Sequence, residues 1–103
     1  MPKYIYIYHG GSKPETEAEQ QRVMAAWGAW MEDLGPKLAD GGAPVGQSKT
    51  VTKDGVSDDG GANPISGYSM VEATDHDEAA KMAAGCPILD DGGTVEIAEI
   101  LPM

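Results

Sequence analysis

Large side chains occupy both alternating sets of positions in the first segment, Lys3–His9. Tyr4, Tyr6 and Tyr8 take one set, and isoleucines take the positions between them. Because successive residues of a strand point to opposite faces, neither face of such a strand is plainly polar. This pattern is typical of a central strand that is covered on both sides. We therefore predict a central strand here.

A helix is predicted to follow this strand. Thr16 and Glu19 have the spacing of a capping box, and the acidic first turn favours a helix start near Glu17. Gly35 and Pro36 end the helix. Between these limits, apolar residues recur at helical spacing and form one stripe, which we expect to pack on a sheet. The stripe consists of Val23, Trp27, Trp30, Met31 and Leu34.

The middle of the chain is polar and rich in turn residues. Residues 41–44 are predicted to be a connector, and residues 45–52 a strand whose polar alternation suits the edge of a sheet. Residues 53–63 contain Asp-Gly twice and almost no apolar side chain. This composition predicts a long, mobile hairpin connection.

The last third of the chain predicts a strand, a helix and a strand. Residues 65–73 and 94–100 have the composition and alternation of strands. Between them, Thr74 or Asp75 caps a helix, and Glu78 completes the capping box. The apolar stripe of this helix is expected to be buried and to include the cysteine. Its members are Ala79, Met82, Ala83 and Cys86.

The elements follow the order βαββαβ, which is the ferredoxin-like pattern of an α+β protein. A chain of 103 residues has the size of one domain, so we expect a single domain over residues 1–103. Two helices cover only one face of a four-stranded sheet. We expect the other face to carry Tyr4, Tyr6, Tyr8 and Tyr68 and to be covered by a second copy of the chain, which predicts a homodimer.

The net charge narrows the range of partners. Seven basic and seventeen acidic residues give a formal charge of -10. Such a surface repels phosphate backbones and anionic lipid headgroups, so binding to nucleic acid or to a membrane is not expected. There is also no apolar run of roughly 18 residues. We expect a soluble, cytoplasmic protein.

The residues give little indication of a metal or a cofactor. The single cysteine, Cys86, can form neither an internal disulfide nor a cysteine-only metal site. The aspartates lack the spacing of a calcium loop, and Gly10-Gly11 is not part of a phosphate-binding fingerprint. We expect no structural metal and no cofactor.

His9 is the candidate for a catalytic residue. It lies where the first strand meets two glycines, a position that can place an imidazole at the mouth of a cleft, where it would transfer a proton. The alternative is a half-exposed histidine at a strand end with no function. Trp27 and Trp30 can form an aromatic wall for a planar ligand. The alternative for both indoles is packing in the core.

Two glutamates are further candidates. Strict alternation places Glu72 on the same strand face as Tyr68 and Met70, and it places Glu96 on the same face as Ala98. If both faces belong to one side of the sheet, two carboxylates point the same way and can form an acid/base pair. The alternative is that they lie at solvated rims or pair with lysines.

Several segments carry a family resemblance by their order and spacing. They are the opening strand at residues 3–6, Gly-Tyr-Ser-Met-Val-Glu-Ala at 67–73, Asp-Glu-Ala at 77–79, Cys86-Pro87, and Gly-Thr-Val-Glu-Ile at 93–97. Together they resemble the YCII-related family, also called the DGPF group. The resemblance implies a dimeric α+β barrel, in which two ferredoxin-like sheets join face to face and enclose a pocket in each half. A few enzymes of aromatic or lactone degradation share the family or the barrel.

The chain departs from the family pattern at two places. The founding branch has a histidine in the first helix that is proposed to pair with an aspartate, whereas this chain has Ala26 and Trp27 there. The Asp-Gly-Pro-Phe signature of the other branch is replaced by Asp-Gly-Gly-Ala-Asn-Pro-Ile at residues 59–65. Neither feature can be carried over to this chain.

Two functional hypotheses follow. In the first, the protein is an enzyme or binder that acts on a ring-sized organic compound, with His9 as the proton-transfer group and with Tyr68, Trp27 and Trp30 shaping the pocket. It rests on family analogy. In the second, the protein is a noncatalytic regulatory or interaction module whose barrel is filled by its own side chains.

Overall fold

A computed structural model describes residues 1–11 and 14–102 and contains one main sheet, two α-helices and a small hairpin. Two short 3-10 turns, Gly35–Lys37 and Pro87–Asp91, follow the helices. The strands and helices are β1 (Lys3–His9), α1 (Glu17–Leu34), β2 (Leu38–Pro44), β3 (Thr50–Thr52), β4 (Gly55–Ser57), β5 (Ile65–Glu72), α2 (His76–Ala83) and β6 (Thr94–Glu99).

The main sheet has the ferredoxin-like arrangement that the sequence predicts. Its strand order is β2-β5-β1-β6, and all three neighbouring pairs are antiparallel. Without the β3–β4 hairpin, the elements follow the order βαββαβ. β1 lies in the interior of the sheet, as its two apolar faces predict.

Both helices pack on the face of the sheet that carries the tyrosines of β1. Tyr6 is fully buried, and its hydroxyl donates to the carbonyl of Ala79 in α2 at 2.6 Å. The Trp30 indole of α1 stacks on Tyr6 and donates its N–H to the carbonyl of Met82 at 3.0 Å. Buried tyrosine and tryptophan side chains need such partners for their polar ends. These contacts join α1, α2 and β1 into one core.

Both helix starts have the caps that the sequence predicts. The Thr16 hydroxyl accepts from the Glu19 amide, and the Asp75 carboxylate accepts from the Glu78 amide. Each cap occupies an amide that has no partner inside its helix. Neither helix has the length and hydrophobicity that a membrane span needs within the described part of the chain.

The prediction for the second strand is wrong. The strand of the main sheet is β2, which covers the residues 41–44 that were predicted to be a connector, and residues 45–52 contribute only the short β3. Gly41 and Gly42 have the composition of a turn, but in the structure they form an irregularity inside β2. The pairing of β2 with β5 shifts register between Asp40 and Ala43. The Asp40 carboxylate accepts from the Gly42 amide at 2.8 Å and holds this bend. β2 does lie at an edge of the sheet.

The predicted loop at residues 53–63 begins inside a hairpin. β3 and β4 pair from Thr50 with Ser57 to Thr52 with Gly55, so that two residues form the turn between them. The hairpin is exposed throughout, including Val51 and Val56. The first turn residues of the predicted loop, Lys53 and Asp54, therefore connect the two strands of a small hairpin.

The second helix is shorter than its apolar stripe predicts. α2 ends at Ala83, and Cys86 has extended backbone, as is usual for a residue directly before proline. Cys86 is nevertheless buried, as predicted, and burial raises the pKa of its thiol to about 11. The thiol is therefore protonated at neutral pH.

The tyrosines of β1 do not lie on the open face of the sheet, contrary to the expectation. Tyr4, Tyr6 and Tyr8 are buried under the helices, whereas the open face carries Ile5 and Ile7. The register places Tyr68 and Met70 of β5 opposite these isoleucines, on the same face. Alternation predicts that the three tyrosines share a face, but it cannot say which face the helices cover.

The bend in β2 generates a test of the fold. Gly42 has a φ of 70°, and a Cβ placed there would lie 1.8 Å from the Tyr68 carbonyl oxygen. We expect Gly42→Ala to lower the free energy of unfolding by at least about 2 kcal/mol, measured by urea denaturation. Gly46→Ala is the control, since a Cβ there meets nothing within 4 Å. Equal stabilities of the two variants would contradict the close approach of β2 to β5.

Candidate functional site

A cavity of about 670 Å³ lies between α1 and the β2–β5 half of the sheet. The apolar face of α1 is more deeply buried near its C-terminal end than along the cavity. Trp30 and Leu34 near the end of the helix are buried, whereas Val23 and Trp27 further back are only half-buried and line the cavity. On the sheet side, much of the wall is glycine, which has no side chain to fill the space: Gly41, Gly42 and Gly67.

The two tryptophans have different surroundings. Trp27 lines the cavity and contacts Tyr8 edge to face, with the ring centroids 5.0 Å apart. Trp30 is buried against Tyr6 and is hydrogen-bonded to Met82 of α2. It packs edge to face against Trp27, with the ring centroids 5.8 Å apart. The cavity therefore has one indole in its wall, and the other indole is in the core.

A chain of hydrogen bonds crosses the strands at the cavity wall. The Tyr8 hydroxyl of β1 donates to the Ser69 hydroxyl of β5 at 2.9 Å, and Ser69 donates to the Gly41 carbonyl of β2 at 2.8 Å. All three residues line the cavity. Burial raises the pKa of Tyr8 well above its usual range, and the weaker, opposing effect of the Ser69 hydrogen bond does not cancel it. The Tyr8 phenol is therefore neutral at ordinary pH.

The rest of the described wall is apolar or uncharged. It includes Val23, Met24, Met31 and Ile88, together with Gln20 and Ser66. The Ser66 hydroxyl is buried and has no hydrogen-bond partner within the described chain. None of the described residues that line the cavity is charged. The site offers shape, an aromatic edge and a few hydroxyl groups.

His9 does not line the cavity; it lies on the open face of the sheet. Its Nε2 is 2.8 Å from the Glu96 carboxylate, and its Nδ1 is 3.2 Å from the Pro64 carbonyl. The hydrogen bond to Glu96 is the largest cause that raises the pKa of His9, and partial burial opposes it. Because both neighbours are acceptors, the imidazolium form can donate to each of them. His9 thus ties the end of β1 to β6 and to the start of β5.

The other predicted site residues are spread over both faces. The register places the side chains of Tyr68, Glu72 and Glu96 on the open face of the sheet. Of these three residues, only Tyr68 is also among the residues that line the cavity on the other face. Glu72 pairs with Lys3 and Glu96 with Ile7, so the two carboxylates share a face. Their partners on β1, Lys3 and Ile7, are four positions apart, which separates the two glutamates by about 13 Å along the strand direction. They are not a close acid/base pair.

The structure therefore joins Trp27 to Tyr8 and His9 to Glu96, and it separates these two pairs by the sheet. Sequence reasoning missed Tyr8, Ser69 and Gly41 as a group. The signal was partly visible, since Tyr8 and Ser69 lie on strands that were predicted correctly. The third member lies in β2, where the prediction was wrong. No group of three or more metal-binding side chains lies together among residues 1–11 and 14–102.

Comparison with known proteins gives a family and a shared fold. The family model described as the YCII-related domain matches residues 4–103. No curated protein matches the sequence. A solved structure of 5-chloro-2-hydroxyhydroquinone dehydrochlorinase from Burkholderia phenoliruptrix, in complex with 2,5-dihydroxybenzoquinone, is similar with a TM-score of 0.55 and 18% identity. The match covers 94% of this chain and 93% of that chain. At this identity, the likeness shows the fold alone.

The His9–Glu96 pair predicts a pH dependence. A raised pKa in the folded state means that the pair stabilises the fold fully below the ordinary value of 6.5, and that this stabilisation is lost as the pH rises through the pKa of folded His9. We expect Glu96→Gln to lower the pKa of His9 in an NMR titration. We also expect the variant to lose less stability than the parent protein between pH 6 and pH 9, by about 0.5 kcal/mol.

The control for this prediction is Glu99→Gln on the same strand. Glu99 pairs with Tyr4 and so belongs to the other side of β6 from Glu96. It should leave the titration of His9 unchanged. An equal pKa of His9 in the parent protein and in Glu96→Gln would contradict the pairing.

Proposed function

The chain belongs to the YCII-related family, and from this premise we propose that it binds a neutral, ring-sized organic compound in the cavity beside α1. The observation that carries the proposal is the cavity itself. It has about 670 Å³, it has an aromatic edge at Trp27, and its polar groups are few. Concave, mostly apolar sites with a few directed polar groups are the usual form of small-molecule sites.

The structural neighbour supports the size of the compound. It is a dehydrochlorinase in complex with 2,5-dihydroxybenzoquinone, which has a single six-membered ring. A ring of that size, or two fused rings, fits within the volume of the cavity. For this chain, the identity of the compound and any reaction belong to the proposal.

The chemistry of the wall favours binding over acid/base catalysis inside the cavity. The described wall carries no charged side chain, and Tyr8 keeps its proton at ordinary pH. His9, the predicted proton-transfer group, lies on the other face with both ring nitrogens next to acceptors. If His9 transfers a proton, its substrate must lie on the open face. An open cavity also favours a small-molecule binder over a module filled by its own side chains.

We further propose that a second copy of the chain covers the open face. The centre of this face is apolar and half-buried, with Ile5, Ile7, Tyr68 and Met70, while charged residues lie towards its rim, among them Lys3 and Glu72. An apolar centre with a polar rim is the usual anatomy of an interface. A dimer is also what the family resemblance implies, and it supports the proposal that this face packs against its own copy.

The cavity is tested by filling it. Gly28 of α1 lines the cavity, and a Cβ there meets nothing within 4 Å. We expect Gly28→Leu to weaken the binding of naphthalene at least about tenfold, or about 1.4 kcal/mol, in equilibrium dialysis. Ala29→Leu adds a leucine on the same helix at an exposed residue that does not line the cavity, so it should bind as the parent protein does. No binding by the parent protein, or equal loss in both variants, would refute the site.

The dimer is tested by placing a charge at the centre of the open face. We expect light scattering to give twice the chain mass for the parent protein at micromolar concentration. Ile7→Glu should give the monomer mass, because burying an unpaired carboxylate in an interface is unfavourable. Val56→Glu is the control, since Val56 is exposed on the hairpin away from the main sheet. A monomeric parent protein would rule out the proposal.

A further inference from the structure

The hydroxyl chain at the cavity wall has a fixed direction. The Gly41 carbonyl can only accept, so the single proton of the Ser69 hydroxyl must point to it, over 2.8 Å. Ser69 then has only lone pairs left for Tyr8, and the Tyr8 proton must point to Ser69, over 2.9 Å. No rotation of the two hydroxyls reverses this order while both hydrogen bonds exist. Both hydroxyl protons are therefore used in hydrogen bonds within the protein and are not available to a ligand.

The Tyr8 oxygen keeps an unused capacity to accept. A phenolic hydroxyl has one proton and can also accept a hydrogen bond. Within the part of the chain that the structure describes, the Tyr8 oxygen receives no hydrogen bond; its one polar contact is the bond it donates to Ser69. Tyr8, Ser69 and Gly41 all line the cavity, so this hydrogen-bonded group borders it. At this point the wall offers an acceptor, and it offers no donor.

We propose that the cavity selects neutral ring compounds that carry a hydroxyl group, and that this hydroxyl donates a hydrogen bond to the Tyr8 oxygen. Ser69 is the positioning residue, because it consumes the Tyr8 proton and so makes Tyr8 an acceptor. The inference rests on the proposed function of the cavity. It adds the chemical class of the ligand and the residue that determines the class.

The same geometry disfavours two other classes of ligand at Tyr8. A ketone or an ether presents lone pairs there and would oppose the lone pairs of the Tyr8 oxygen. A phenolate or a carboxylate adds a charge, and no cationic side chain is among the described residues of the wall. Burial keeps Tyr8 neutral at ordinary pH, so its preference for a donor should not change between pH 5 and pH 8.

Three probes that share one ring system separate these possibilities. Naphthalene has no polar group, 2-naphthol presents a donor, and 2-acetylnaphthalene presents only an acceptor. At pH 6, where 2-naphthol is neutral, we expect the parent protein to bind 2-naphthol about two- to tenfold more tightly than naphthalene, in equilibrium dialysis. 2-Acetylnaphthalene should gain no hydrogen bond from Tyr8, so its affinity relative to naphthalene should be the same in the parent protein and in Tyr8→Phe.

Tyr8→Phe removes the acceptor and leaves the ring. We expect it to abolish the advantage of 2-naphthol over naphthalene and to leave the affinity for 2-acetylnaphthalene unchanged. Tyr6→Phe is the matched control: it removes a hydroxyl from the same face of the same strand, where the hydroxyl donates to Ala79 and lies outside the cavity wall. It should leave the order of the three probes as in the parent protein.

Ser69→Ala tests the positioning role. It frees the Tyr8 proton, so Tyr8 becomes able to donate, and we expect the affinity for 2-acetylnaphthalene to rise relative to naphthalene. A purely structural loss would instead weaken all three probes alike. If Ser69→Ala does not fold, Tyr8→Phe still decides the inference.

The outcomes distinguish this inference from the proposed function. If naphthalene does not bind the parent protein, the proposed function fails, and the inference fails with it. If naphthalene binds but 2-naphthol has no advantage, or if Tyr8→Phe weakens 2-acetylnaphthalene and leaves 2-naphthol unchanged, the cavity stands and the assigned polarity is wrong.

Discussion

A buried tyrosine hydroxyl must find a hydrogen-bond acceptor, and on β1 this requirement ties the sheet both to the helix α2 and to its own edge strand β2. Tyr6 finds its acceptor in the backbone of α2, at Ala79. Tyr8, two residues further along the same face, reaches the backbone of β2 through Ser69 and Gly41. Phenylalanine at these positions could be buried equally well, but it has no hydroxyl and so would require no particular hydrogen-bond acceptor. The core therefore has polar contacts at fixed points, as well as a hydrophobic interior.

Much of the fold could be predicted from the sequence because its determinants are local. Each helix cap, at Thr16 and at Asp75, depends on residues three positions apart in the chain. The alternation that predicts β1 lies within its seven residues. β2 could not be found in this way. Its glycines have the composition of a turn, and they are held in a strand by a serine on β5 that lies 28 positions away in the chain. Long-range hydrogen bonds overrode local propensity there.

The candidate site was harder to predict than the fold, and for the same reason. Alternation shows which residues share a face, but only the packing of the helices decides which face becomes the inside. This is why the three tyrosines of β1 were assigned to the wrong side of the sheet, whereas Tyr68 was assigned to the right one. His9 and Glu96 are separated by 87 positions, and their contact depends on the register of β1 with β6. Residue types alone give no register.

The glycine wall of the cavity limits how this site can diverge. A Cβ at Gly42 would overlap the Tyr68 carbonyl, and a Cβ at Gly67 would lie 3.1 Å from the Ala43 carbonyl and 3.3 Å from the Tyr8 ring. Mutation can therefore add little at these two positions without moving the backbone. A change of ligand preference is sterically easier on the facing helix, where a Cβ at Gly28 meets nothing within 4 Å, and at Gly41, where a Cβ meets only the Met31 sulfur at 3.9 Å.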